Sequence, residues 1–220
     1  RAITECLVVV LIFFMFDFIK NIFGKNKYKP TEKRDPKRYE QERAISQSGD
    51  SKKRMTLASS SETHQEILYY LAQNDPDPKV RKAVALNSST PMQASELLAK
   101  DSDVDVRLAL ADRLVKLLPD LERGRQSQLY AFAVQALGTL ALDEVLKIRR
   151  ALSSTLKDYA NAPPKVVGQL AHDVEQEISE PILRFCAAVS DDDLIAILGD
   201  HPESWAVQAI AGREKVSGPV

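Results

Sequence analysis

From Met55 onward, apolar residues recur at intervals of three and four, the spacing of a helix with one face turned to a core. Ile67, Leu68 and Leu71 mark a first helix opened by Ser61-Glu62. Thr90-Pro91-Met92-Gln93 reads as another helix start, with Thr as N-cap, Pro at the first helical position and Gln at the capping-box position. Between Arg125 and Ala141, apolar residues (Leu129, Phe132, Ala133, Ala136, Leu137, Leu140) cover more than one face, which predicts a buried helix. Pro163-Pro164 ends one long helix and starts the next. Ser190 with Asp191, Asp192 and Asp193, ahead of Leu194, Ile195, Ile197 and Leu198, is a helix start with acids in its first turn. Long alternating runs of Val, Ile and Thr are missing, so the class is all-α.

A motif repeats on top of this pattern. Asp75-Pro-Asp-Pro-Lys-Val80-Arg81-Lys-Ala83-Val84 returns as Asp101-Ser-Asp-Val-Asp-Val106-Arg107-Leu-Ala109-Leu110, and again as Asp143-Glu-Val-Leu-Lys-Ile148-Arg149-Arg-Ala151-Leu152. Weaker copies start at Asp173, with Ile178, Pro181 and Ile182, and at Asp200, with Trp205, Gln208 and Ala209. The spacings of 26, 42, 30 and 27 residues make the array irregular and predict an extra helix after Leu118. In each copy the apolar positions form one stripe, and Ala lets the next helix approach closely. The Asp precedes the helix, where it can accept from free backbone N–H groups. The Arg can reach the Asp of its own or the neighbouring turn. Asp75, Arg81, Asp101, Arg107, Asp143, Arg149, Asp173 and Asp200 are therefore expected to form a structural ladder along the stack.

Asp-Pro-Asp-Pro-Lys-Val-Arg-Lys-Ala and Asp-Val-Arg-Leu-Ala-Leu-Ala resemble HEAT-type and leucine-rich-repeat-variant repeats. The strings Leu170–Leu183, Val189–Ile195 and Gln208–Ser217 resemble a bacterial domain of unknown function built on such repeats. The resemblance covers residues 55–220. It implies a right-handed α-solenoid, an armadillo-type superhelix, with no assigned activity, and it suggests that the chain stops within a repeat. The cysteine set of an iron–sulfur cluster, carried by some leucine-rich-variant proteins, is missing.

The first 54 residues differ in kind. Cys6–Phe16 is an unbroken apolar run, and the wider stretch Ile3–Phe23 reaches a spanning length of about 20 residues only by including carboxylates. Three readings of residues 1–27 stand side by side: a membrane anchor with a basic flank, a signal-peptide core without a small-residue cleavage site, or a natural start at Met15 giving a short amphipathic helix for a membrane surface. From 28 to 54, Pro, Lys, Glu, Ser and Gln dominate, the composition of a disordered basic linker. Residues 55–220 form the repeat domain.

Composition supports helix, with 44% apolar residues and only 8 glycines in the chain. The net charge of −1 hides a split. Lys20–Arg54 carries 12 basic against 5 acidic residues, and Met55–Val220 carries 17 against 24. Cys6 and Cys186 form neither a metal spacing nor a disulfide framework, which points to a reduced cytoplasmic body with Cys186 in the core. His64, His172 and His201 have no partner at ligand spacing, and Asp191–Asp193 reads as a first-turn acidic cluster rather than a metal site. Phosphate loops, nucleophile elbows and Cys/His pairs are missing, so an enzyme, a metal and a cofactor are not expected. Trp205 and Phe185 lie on core stripes.

The expected function is a non-enzymatic protein–protein interaction scaffold or adaptor, using the concave face of the array for a partner with a basic contact surface. It would lie in the cytoplasm, tethered at the inner membrane under the anchor reading. The second, less favoured, reading is nucleic-acid backbone binding by Arg113, Lys116, Arg123, Arg125, Lys147 and Arg150 beside the ladder arginines. That reading requires these side chains to converge, unpaired, on one face.

Overall fold

The computed structural model describes residues 36–122, 127–200, 202–218 and 220. Residues 1–27, read above as an anchor, a signal core or an amphipathic helix, lie outside this set, as do Arg123 and Arg125. The described residues form twelve α-helices and one short 3₁₀ turn, without a strand. None of these helices is long and apolar enough to cross a membrane.

The helices alternate between two layers. One holds α2 (Ser51–Ser59), α4 (Pro78–Leu86), α6 (Val104–Glu122), α8 (Leu146–Leu156), α10 (Gln176–Phe185) and α12 (Ser204–Ala211). The other holds α1 (Pro36–Ser46), α3 (Gln65–Asn74), the 3₁₀ turn Met92–Ala94 with α5 (Ser95–Ala99), α7 (Gln128–Ala141), α9 (Pro164–Ala171) and α11 (Asp191–Gly199). Through the first layer each helix packs on the next in chain order, and the second layer does the same as far as α9. The exception is α11, whose backbone stays farther from its neighbours and which buries only Leu194.

The core lies between the layers and follows the apolar stripe. Val80 and Val84, then Val106, Leu110, Leu114 and Leu118, then Ile148, Leu152 and Leu156, then Ile178 and Ile182 are all sealed from solvent. Facing them are Ile67, Leu68, Leu71, Leu98, Leu137, Leu140, Val167 and Leu170. Each such side chain contributes about 1.5–3 kcal/mol by leaving water.

Four expectations change. The segment 28–54 is not a linker throughout: α1 and the start of α2 fall inside it, so the array begins by Pro36 rather than Met55. The longer interval after Asp101 comes from the lengths of α6, which continues past Leu118 through Pro119, and of α7, without an extra helix among the described residues. Thr90 does not cap the helix that follows it. Its hydroxyl donates to the Val84 carbonyl at 2.6 Å, and Thr63 donates likewise to Leu57 at 2.7 Å, so each closes the end of the preceding helix. Phe185 is 59% exposed and lies under the Lys157 ammonium instead of in the core, because it falls at the last position of α10 where the stripe has run out.

Candidate interaction groove and the ladder behind it

The recurring Asp and Arg residues meet, and each pair bridges two repeats. Arg81 Nε and Nη2 donate to Asp101 at 2.7 and 2.9 Å. Arg107 makes the same fork on Asp143 at 2.6 and 3.2 Å, and Arg149 on Asp173 at 2.7 and 3.3 Å. The third guanidinium nitrogen turns back to its own repeat, donating to the carbonyl six residues earlier at Asp75, Asp101 and Asp143. Each carboxylate also accepts a backbone N–H two residues further on, from Asp77, Asp103, Val145 and Glu175. Buried charge is tolerated here because each member is bonded from several sides. The hydrogen-bonded Asp101 carboxylate raises the Arg81 guanidinium above its ordinary range.

Two details were not readable from the repeats. Another rung precedes them, Arg54 on Asp75 at 2.7 and 3.3 Å, with Arg54 also donating to Ser48. Ser48 stands where later copies have Asp, which hides the frame; Leu57-Ala58, matching Val84-Ala85, is the signal that was available. The N-cap role belongs to the second aspartate of the motif. Asp77 accepts from Lys79 N–H, and Asp103 from Asp105 and Val106 N–H.

Asp200 is not a rung. It is an exposed residue at the end of α11, and the position six after Asp173, where an Arg would reach it, is Ser179. Ser179 is buried and donates to the Ala171 carbonyl instead.

The basic residues of the middle repeats are mostly occupied. Arg150 pairs with Glu177, and Lys116 with Asp112 on its own helix at 2.7 Å. Arg113 is buried, donating to the Asn87 carbonyl at 3.0 Å and to the Met92 sulfur at 4.0 Å, with its Nε unbonded. Burial without a carboxylate pushes its guanidinium down to about 10. Lys147 is exposed and helps lower the Asp105 carboxyl, after the larger effect of the Lys82 ammonium bonded to it. Among the described members of this set, Arg113 and Lys147 have no carboxylate within ion-pair distance, and of the two only Lys147 is exposed.

A concavity of about 750 Å³ runs along one face of α9. Pro164, Lys165, Gly168, Gln169 and His172 form its floor, at the four-residue spacing of a single helix face. One wall is the turn Leu142-Asp143-Glu144, with Arg149 and Asp173 behind it, so the last rung of the ladder backs the groove. Val174 and, from α11, Asp193 complete the rim. Gly168 brings α9 close to the start of α11: a Cβ at this position would come within 3.2–3.4 Å of the Asp193 carboxylate oxygens, so a larger residue would require that side chain to shift by a few tenths of an ångström. His172 Nε2 lies 3.5 Å from Asp193 Oδ1, and Ser190 donates to the other carboxylate oxygen at 2.6 Å. Gln169 Oε1 is enclosed and accepts no hydrogen bond among the described residues.

This surface combines two features. Leu142 and Val174, 67% and 89% exposed, both line this groove. Glu144 has no ion pair among the described residues, Asp193 has only the histidine, and Asp191 and Asp192 stand exposed beside it, while Arg149 is committed to Asp173. Lys165 is the uncommitted cation of the lining. Among the described residues no group of His, Cys, Asp and Glu is placed to hold a metal ion. Desolvating apolar side chains and opposing positive charge are what such a groove can do; it presents no nucleophile paired with a base. No family model matches the chain, and no curated protein or solved structure matches it either.

Proposed function

We propose that this chain is a non-enzymatic scaffold or adaptor: a right-handed solenoid of HEAT-like repeats whose concave face binds protein. The observation that supports this is the groove along α9, where exposed Leu142 and Val174 sit beside Glu144, which has no ion pair among the described residues, and near the acidic start of α11. Apolar side chains lining a groove rimmed by polar residues are a feature of interaction surfaces. Around them the chain from Leu142 to Lys215 carries 13 acidic against 8 basic residues, so the covering surface is basic. The committed state of Arg107, Arg149, Arg150 and Lys116 favours this reading over phosphate binding, which needs free cations. In the cell the scaffold belongs to the cytoplasm, with its apolar amino-terminal residues as a tether at the inner membrane.

The test is co-purification from its source cells at low and high salt, comparing the parent with Leu142→Asp/Val174→Asp. Both sites are exposed, so the fold is expected to survive. A partner held by the parent, lost from the variant and weakened by salt is the expected result. Retention that ignores both substitutions and salt would remove the groove from the function.

A further inference from the structure

The chain carries its own match for this groove. Phe18-Ile-Lys20-Asn-Ile-Phe23-Gly-Lys25 holds two lysines, no carboxylate, and the apolar side chains Phe18, Ile19, Ile22 and Phe23. The groove offers the reverse: two exposed aliphatics flanked by Glu144, Asp193 and the neighbouring Asp191 and Asp192. We propose that the groove along α9 is occupied by residues 18–25 of the same chain, an intramolecular occupant that an outside partner must displace. The proposal rests on the reading of this groove as the binding surface.

Reach permits it. The described chain starts at α1, which heads the same layer as α9. Going from α1 past α3, α5 and α7 to α9 takes four interhelix steps of about 8–10 Å, or roughly 32–40 Å. The chain from Pro36 back to Phe23 spans up to about 43–47 Å when extended. Phe23 and its flanking lysines can therefore lie over Leu142 and Val174 without a second molecule. Charge complementarity orients the contact, with lysines toward the acidic start of α11 and apolar side chains toward the two aliphatics, where they are worth most.

The experiment is zero-length carbodiimide coupling of the full chain, read by mass spectrometry of the monomer fraction. Amide links from Lys20 or Lys25 to Glu144, Asp191, Asp192 or Asp193 are expected, falling at least five-fold in Leu142→Asp/Val174→Asp. Circular dichroism checks that the variant keeps its helix. Links found only in covalent dimers, or no links to these carboxylates, would overturn the proposal. So would links lost on adding anionic phospholipid vesicles together with unchanged yield in the groove variant, because the segment would then be serving a membrane. A labelled synthetic peptide of residues 18–25 is titrated in parallel. If intramolecular links are missing yet the peptide binds the parent and not the variant, the occupant comes from outside and the scaffold reading survives. If neither occurs, both readings fall.

Discussion

Arg107 and Arg113 lie on the same helix and are both buried, yet their surroundings are opposite. Arg107 is forked onto Asp143, and removing it leaves that carboxylate enclosed without its cation. Arg107→Met is expected to cost about 3–5 kcal/mol in urea unfolding. Arg113 faces no carboxylate and holds the Asn87 carbonyl and, weakly, the Met92 sulfur, so Arg113→Met removes a desolvated charge while keeping the apolar stem. It is expected to leave stability unchanged or raise it by about 1 kcal/mol. The pH dependence follows from the same burial. Above about 10 the folded guanidinium gives up its proton while the unfolded chain still holds it. Where the unfolded state binds more protons, stability rises with pH. The parent should therefore gain on Arg113→Met as pH climbs above 10, measured as the difference between their urea midpoints; parallel curves would contradict it. The existence of the ladder is readable in the Asp-x₅-Arg spacing. Its direction is not, because an arginine stem reaches both its own repeat and the next, and only packing shows that it does both.

At the level of elements, the sequence reads well where apolar periodicity carries the signal and poorly where polar side chains hold a helix in place. The first helix has little apolar surface, chiefly Tyr39 and Ile45, and so reads as linker. What docks it is Glu42, buried at 5% exposure. Its carboxylate accepts from the His64 backbone N–H at 3.0 Å, contacts His64 Nδ1 at 2.8 Å, and takes Arg38 Nε at 2.9 Å. Tyr39 meets the His64 ring edge to face, and Arg38 donates to the Glu62 carbonyl. No pattern of three or four in the sequence announces such a junction. Glu42→Ala should loosen this end alone, at a cost of about 1–2 kcal/mol. Amide exchange is expected to quicken over α1 and the first turn of α3 and to stay unchanged over α8–α10; a uniform change would show that the junction is not local. The groove was equally hidden, because Leu142, Glu144, His172, Val174 and Asp193 come from separate turns, and their exposure depends on how far α11 stands from α9.

Over the whole molecule, contact between successive helices builds the first layer throughout and the second as far as α9, so the helical class and the order of packing follow from a motif of fewer than a dozen residues. The irregular intervals, which suggested an added helix, turned out to be absorbed by α6 and α7. The rungs show why that is tolerated. Partners lie 21, 20, 36 and 24 residues apart along the chain, yet the shortest bond in every rung is 2.6 or 2.7 Å. Alignment of neighbouring repeats is thus imposed sideways, by side chains, and covalent continuity between α6 and α7 adds little to it. A polypeptide opened between residues 122 and 127 should still find its other half. Co-expressed, the two pieces are expected to purify together and unfold as one, and Arg107→Met is expected to part them, since that rung joins one piece to the other.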